Sequence, residues 1–191
     1  MQALYDFIVE PLGKRYNNKI KIGGKELILN TKIETFQSVN KLAKVISVPK
    51  NIKTNIKLDD IIVIHHNVFR RFYDIKGKEQ NSRAYFKDGK YFVSLDQVYL
   101  YYNGEEWNSV ADRCFIKPNS SFRMGIIKYD NKHLNELGIY KGNIVSFKDK
   151  RQFEFIINDE LLYCMKSKDV LINHGYETNK KENNRSGAEG C

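Results

Sequence analysis

No stretch of this chain approaches the roughly 20 consecutive apolar residues of a membrane helix. Met1 to Glu10 holds no basic segment followed by an apolar core, so neither a spanning helix nor a secretory leader is expected. Cysteine is scarce. Cys114, Cys164 and Cys191 form an odd set without Cys-x-x-Cys spacing, which argues against a disulfide framework and a zinc site. Gly23-Gly24-Lys25 lacks the full glycine-lysine-hydroxyl pattern of a phosphate loop, and Glu26 would repel a phosphate. Gly-x-Ser-x-Gly does not occur, and the many carboxylates fall into no recognisable acid/base pair. His65-His66 is a tempting metal pair, but successive strand residues point to opposite faces and cannot easily share an ion. Cys114 and Cys164 sit in apolar segments and read as core residues. The expectation is a cytoplasmic protein that is not an enzyme and has no metal and no cofactor.

What the chain has in excess is positive charge. Its 32 Lys and Arg against 23 Asp and Glu give +9, and a clustered basic face would suggest nucleic acid, because phosphate neutralisation supplies most non-specific affinity. Here the lysines are spread along the whole length with acids between them. Arg70-Arg71, set among Phe69, Phe72 and Tyr73, keeps a basic β-barrel nucleic-acid-binding module open as an alternative.

Most apolar segments are four to seven residues long, rich in Ile, Val, Phe and Tyr, and bounded by Gly, Asn, Asp or Lys. That pattern predicts an all-β barrel or sandwich. Strands are expected at 4–9, 41–47, 60–65, 84–86, 90–93 and 98–102. They continue at 113–117, 124–129, 143–148, 152–157, 160–165 and 170–172. Asp88-Gly89 marks the clearest hairpin, since both residues tolerate the positive φ of a tight turn; Asn158-Asp159 marks a weaker one. One helical turn is expected at 133–137. From residue 175 to 191 the sequence is too polar to offset its ordering entropy and is expected to be disordered.

The chain also repeats itself. Ala111-Asp-Arg-Cys-Phe-Ile-Lys-Pro118 has an approximate copy in Tyr5-Asp-Phe-Ile-Val-Glu-Pro11. Each is followed by a short apolar strand, then by Lys57-x-Asp-Asp-Ile-Ile-Val-Ile64 or Lys141-Gly-Asn-Ile-Val-Ser-Phe147. Each closes on an apolar stretch ending in Asp-Gln-Val or Asp-Val-Leu. Self-similarity of this kind defines a fold before local motifs do. It predicts one β-domain over 1–105 and a second, degenerate copy over 109–174, joined by the polar segment 103–109.

The order Asp-Arg-x-x-x-x-Lys-Pro, Gly-x-Ile, Lys-Gly-Asn-Ile-Val-Ser-Phe and Lys-Asp-Val-Leu resembles the GroES-type co-chaperonins. It is matched at 112–118, 125–127, 141–147 and 162–171, and more loosely at 6–11, 43–48, 57–64 and 91–99. In the first copy the opening motif reads one residue short, and Asp59-Asp60 replaces Gly-Asp. The resemblance implies two GroES-like small β-barrels in a homo-oligomeric ring. It also implies a partner, a GroEL-type chaperonin that itself binds ATP, and an unfolded protein as substrate.

The family docks through a mobile loop tipped by an apolar tripeptide. The corresponding interval is about 12–41, where Leu27, Ile28 and Leu29 follow Gly23 and Gly24 with Lys25 and Glu26 between. These five residues are the expected chaperonin-binding site. In the second copy only Asn119–Arg123 occupies the interval, so no docking is expected there. The alternative for 19–29 is an ordinary hairpin with its Ile and Leu in the core, and a hairpin could still present the tripeptide. Residues 49–55 imply a reduced roof, and 66–85 an expansion that resembles enlarged phage co-chaperonins acting in the host cytoplasm. Phe69–Tyr73 within it reads as core and surface of a β-ribbon.

Overall fold

The short apolar segments fold as antiparallel strands, and the chain is all-β apart from one helical turn and three short 3-10 turns among the described residues. The computed structural model describes residues 2–16, 19–22, 25–28 and 38–176, with backbone path and pairing alone for 19–22 and 25–28. The tail from 177 onward, Gly23, Gly24 and Leu29 lie outside the described residues. Two compact units meet between Ala111 and Asp112.

The first unit contains β1 (Phe7–Pro11), β2 (Lys19–Ile22), β3 (Lys25–Ile28), β4 (Leu42–Ser47) and β5 (Ile61–Ile64). It continues with β6 (Phe72–Tyr73), β7 (Glu79–Gln80), β8 (Tyr91–Val93), β9 (Val98–Tyr102) and β10 (Trp107–Ser109). Six of them form one sheet in the order β10-β9-β5-β4-β1-β8, while β2-β3 and β6-β7 are separate two-stranded ribbons. The second unit contains β11 (Arg113–Pro118), β12 (Met124–Tyr129), α1 (Lys132–Glu136), β13 (Asn143–Phe147), β14 (Phe153–Ile157), β15 (Glu160–Lys166) and β16 (Val170–Tyr176). Its sheet runs β14-β15-β11-β12-β13-β16. Both sheets are open, ending at β10 and β8 in one and at β14 and β16 in the other, so the strand pairings close no barrel.

Alternation places the core. In β4, Ala43, Val45 and Ser47 are buried while their neighbours are half-exposed, and β13 does the same with Asn143, Val145 and Phe147. Phe7, Val9, Val45, Ile62, Ile64, Phe69, Tyr91 and Val98 belong to the first core. Cys114, Ile116, Ile127, Leu134, Val145, Phe147 and Met165 belong to the second.

Register makes five strands of one unit equivalent to five of the other: β1 to β11, β4 to β12, β5 to β13, β8 to β15 and β9 to β16. Pro11 faces Ala43 and Val9 faces Val45, as Pro118 faces Gly125 and Ile116 faces Ile127. The ladder is irregular between Ile8 and Val9, and at the matching step between Phe115 and Ile116. Val9 faces Tyr91 on the other side, as Ile116 faces Tyr163. Ala43 pairs with Ile62 as Gly125 pairs with Val145, and Ile64 with Val98 as Phe147 with Val170. A 3-10 turn precedes the last shared strand in each, at Leu95–Gln97 and Ser167–Asp169. The Gln97 carbonyl accepts from His65 N–H at 2.9 Å, and the Asp169 carbonyl accepts from Lys148 N–H at 2.9 Å.

This register corrects the opening motif. Phe7 aligns with Cys114 and Pro11 with Pro118 without a gap, so Asp6 matches Arg113 and the first copy is not short. Asp59 stands where Gly142 stands, and both adopt positive φ, 68° and 92°. Their amides donate to equivalent carbonyls, Val45 at 3.0 Å and Ile127 at 2.8 Å. An aspartate tolerates the left-handed region better than most residues, so Asp59 can occupy the position that glycine fills in the second unit. The segment expected to join the copies is instead part of the first, with Trp107–Ser109 as its edge strand beside β9. The expected strand at 84–86 is reduced to a single bridge, Tyr85 to Tyr91. Both expected tight turns form, with Asp88 and Gly89 at φ 49° and 71°, and Asn158 and Asp159 at 51° and 60°.

The units differ by insertion. Pro11 and Ala43 are 32 positions apart where Pro118 and Gly125 are seven apart, so the first unit carries 25 more residues there. Ile64 and Val98 are 34 apart where Phe147 and Val170 are 23 apart, a second insertion of 11. The second unit has its own hub in buried Asn131. Its side-chain oxygen accepts from Leu134 N–H at 2.9 Å at the start of α1. Its amide donates to the Arg113 carbonyl and to Ser167 Oγ at 2.6 and 2.7 Å.

A Cβ at Gly125 would run into the Lys117 carbonyl oxygen and the Ile116 Cγ2 atom. Gly125→Ala is therefore expected to lower stability by about 1–3 kcal/mol through overpacking, read as a shifted denaturant midpoint. Asp59→Gly should leave the midpoint within about 0.5 kcal/mol or raise it, because glycine adopts positive φ without strain.

Candidate functional site

The interval singled out by sequence leaves the first sheet after β1 and returns before β4. Its stems are held together at Tyr16 and Val39, which form an antiparallel bridge. Asn40 N–H donates to the Arg15 carbonyl at 2.8 Å, and the Asn40 side chain donates to the carbonyls of Leu12 and Lys14 at 2.9 and 3.0 Å. Its own Oδ1 receives Leu42 N–H at 2.8 Å. Asparagine suits this position because one side chain satisfies three backbone groups at the point where the chain re-enters the sheet.

Among the described residues of the interval, 19–22 and 25–28 pair as a two-stranded ribbon. Lys19 faces Ile28, Ile20 faces Leu27, Lys21 faces Glu26 and Ile22 faces Lys25. Of the five expected docking residues, Leu27 and Ile28 lie in β3. Gly23, Gly24 and Leu29 lie outside the described residues. β2-β3 is a sheet of its own and does not join the six-stranded one.

The stems also meet residues far away in sequence. Arg15 donates from Nε and Nη2 to the Phe69 carbonyl at 3.2 and 2.8 Å, and from Nη1 to Asn81 Oδ1 at 2.8 Å. Its guanidinium also sits 5.3 Å from the centre of the Tyr91 ring. Tyr16 Oη accepts Arg71 N–H at 2.6 Å, and the Arg71 guanidinium lies 4.2 Å from the Tyr16 ring centre while pairing with Glu79 at 3.1 Å. A partly buried cation over an aromatic face contributes roughly 0.5–2 kcal/mol, and hydrogen bonds from a charged group about 1.5–3 kcal/mol. Burial pushes the Tyr91 phenol above its ordinary pKa, with Arg15 acting in the opposite direction.

The pentapeptide Phe69–Tyr73 divides accordingly. Phe69 is fully buried against Tyr91, with the rings edge to face at 4.9 Å. Phe72 and Tyr73 are exposed on β6, and the Arg70 guanidinium lies 5.3 Å from the Phe72 ring centre. Residues 49–55 form no strand, and Lys50 and Asn51 donate their amides to the carbonyls of Ala3 and Leu4. In the second unit the corresponding return is a tight turn, with Asn119 N–H donating to the Met124 carbonyl at 3.2 Å.

Other chemistry-bearing residues are embedded in structure. His65 and His66 stack at 4.3 Å instead of diverging, because His66 opens a 3-10 turn (His66–Val68) and the strand alternation ends there. His65 Nδ1 accepts Asn67 N–H at 3.1 Å. Among the described residues, His, Cys, Asp and Glu form no group of three able to hold a metal ion. Cys114 and Cys164 are buried, and burial pushes both thiols up, Cys164 to about 12.

Burial, with His65, Lys41 and Arg70 nearby, lowers His66 to about 4 from an ordinary 6.5. The unfolded chain therefore binds the proton more tightly. The stability tied to neutral His66 is complete above pH 6.5 and is lost as pH falls toward 4. The denaturant midpoint should fall between pH 7 and pH 5, and less steeply in His66→Gln.

No protein-family model matches this sequence, and no curated protein matches it either.

Proposed function

We propose that this chain is a co-chaperonin of the GroES kind, each unit being a GroES-like β-barrel domain in derived form. Through the β2-β3 ribbon of its first unit it binds a GroEL-type chaperonin ring and caps the chamber for ATP-dependent folding. The observation that carries the reading is the shared register of the two units together with the β2-β3 ribbon, which among the described residues pairs outside the six-stranded sheet of the first unit. In this reading Leu27, Ile28 and Leu29 are the docking side chains, and Gly23 and Gly24 complete the chaperonin-binding site. ATP belongs to the partner, unfolded protein is the cargo, and the setting is the cytoplasm, that of a host cell if the chain is phage-encoded.

The energetics favour a ring. Three apolar side chains in a groove contribute roughly 1.5–3 kcal/mol each, against about 1–2 kcal/mol for each residue newly fixed. A paired ribbon has less ordering left to do than an open loop, so the net affinity per arm is small and positive. Several identical arms then raise avidity by ~10²–10⁴.

Mixed with a GroEL-type chaperonin and ATP, the protein should co-elute with it on size exclusion. Leu27→Ala/Ile28→Ala/Leu29→Ala should weaken binding by at least about 100-fold, given the burial lost. Absence of a complex for the unaltered chain, or an unchanged complex for the triple variant, would falsify the reading. Salt-sensitive binding of single-stranded DNA in place of chaperonin would favour a nucleic-acid module built around Arg70, Arg71 and Phe72.

A further inference from the structure

We propose that residues 66–85, within the connection that is 11 residues longer in the first unit, are the anchor of the β2-β3 ribbon, and that Arg15, Tyr16 and Arg71 are positioning residues for docking. The role in docking rests on the function proposed above; the anchoring itself does not.

The two insertions that distinguish the first unit from the second lie at different strand connections, yet they touch. Arg15 and Tyr16 stand where the chain leaves for the ribbon, and their partners are Phe69, Arg71 and Asn81 on the second insertion. That insertion is itself fastened to the core. Phe69 and Val68 are buried, and Ser82 Oγ donates to the Val68 carbonyl at 2.5 Å, closing the segment on itself. Glu79 on β7 then holds Arg71 against the Tyr16 ring. The outgoing stem is thus tied at two successive residues to a rigid part of the first unit. The returning stem is tied to the outgoing one through Tyr16–Val39 and Asn40.

For a two-stranded ribbon outside a sheet, small rotations at the stems become large displacements at the far end. Holding the stems restricts those orientations before the partner arrives, which lowers the entropy lost on docking. In a ring the benefit recurs at every arm. Among its described residues the second unit has neither the ribbon nor an anchor of this kind, as expected if the two are one device.

The test uses the full chain and two separate measurements. Hydrogen exchange on the protein alone is followed at the β2 and β3 amides, with β4 and β13 amides and the denaturant midpoint as reporters of global folding. Arg71→Ala and Arg15→Ala should speed exchange in β2 and β3 at least about fivefold, leaving β4 and β13 unchanged, as expected for local opening. Tyr16→Phe, which keeps the ring and removes the acceptor of Arg71 N–H, is the milder variant should the others unfold. Its exchange should lie between. Chaperonin binding with ATP should weaken about tenfold or more in Arg71→Ala, since arms multiply the effect, and recover in part in Arg71→Lys. Unchanged ribbon exchange in all three variants overturns the anchor. Faster exchange with undiminished binding overturns the positioning role. Faster exchange in a protein whose unaltered form binds no chaperonin upholds the anchor and removes the docking reading instead.

Discussion

Each unit depends on its first long strand, which is hydrogen-bonded along both edges. β1 lies between β4 and β8, and β11 between β12 and β15. A strand so placed has little freedom. Phe7, Ile8 and Val9 are buried in succession, as are Cys114, Phe115 and Ile116, so neither face is left to water. The ladder irregularity after Ile8 and after Phe115 is the matching local distortion, and the Pro that ends each strand faces a residue with almost no side chain, Ala43 or Gly125. Bulges of this sort fix register, because a one-step slip would turn every core residue outward.

Once that strand and its two neighbours are fixed, change is confined to the connections. The stretch from Ala43 to Ile62 differs from its counterpart, Gly125 to Val145, by a single residue, whereas the two insertions of the first unit enter at strand ends. A long excursion between strands costs little in loop-closure entropy, which grows only slowly with length. The larger demand is that its backbone groups be satisfied. Here 19–22 pairs with 25–28 in β2-β3, and within 66–85 Phe72–Tyr73 pairs with Glu79–Gln80 in β6-β7. Two self-paired ribbons, joined through Arg15, Tyr16 and Arg71, are what the first unit adds to the shared frame.

Much of the frame was legible because strand burial writes a period-2 pattern. Val98–Tyr102 and Met124–Tyr129 begin and end where alternation and turn residues place them. The repeat was legible as pattern rather than identity. Equivalent core positions exchange Phe7 for Cys114, Val9 for Ile116 and Ile64 for Phe147, while Pro, Tyr91/Tyr163 and Val98/Val170 persist. That tolerance explains why the first motif was aligned one residue out: Asp6 and Asp112 look alike, but the pairing of Pro11 and Pro118 decides. Trp107–Ser109 escaped notice because a three-residue edge strand needs only a neighbour, not a pattern of its own. His65 and His66 were misplaced because a 3-10 turn begins between them, and three-residue turns leave no period to detect. Of the candidate site, the interval and its ribbon-forming residues were visible. The stem contacts were not, since 54 and 55 positions separate Arg15 from Phe69 and Tyr16 from Arg71, and nothing local marks such pairs.

The distribution of charge sharpens the contrast between the units. In the second, Glu160 receives both Lys117 and Lys128 at 2.7 and 2.8 Å, tying three adjacent strands, and the two lysines lower its carboxyl pKa. The two lysines are exposed and Glu160 is half-buried, and surface pairs of this kind contribute little to stability. They occupy the sheet surface without leaving a directed device. In the first unit the arginines are spent differently. Arg15 and Arg71 are half-buried, each bonded to backbone or acid on one side and facing an aromatic ring on the other. Planar guanidinium is suited to that double role in a way that lysine is not. Charge on the frame is mostly a solvated surface, whereas the arginines at the ribbon stems fix geometry, and geometry is what a docking ribbon requires.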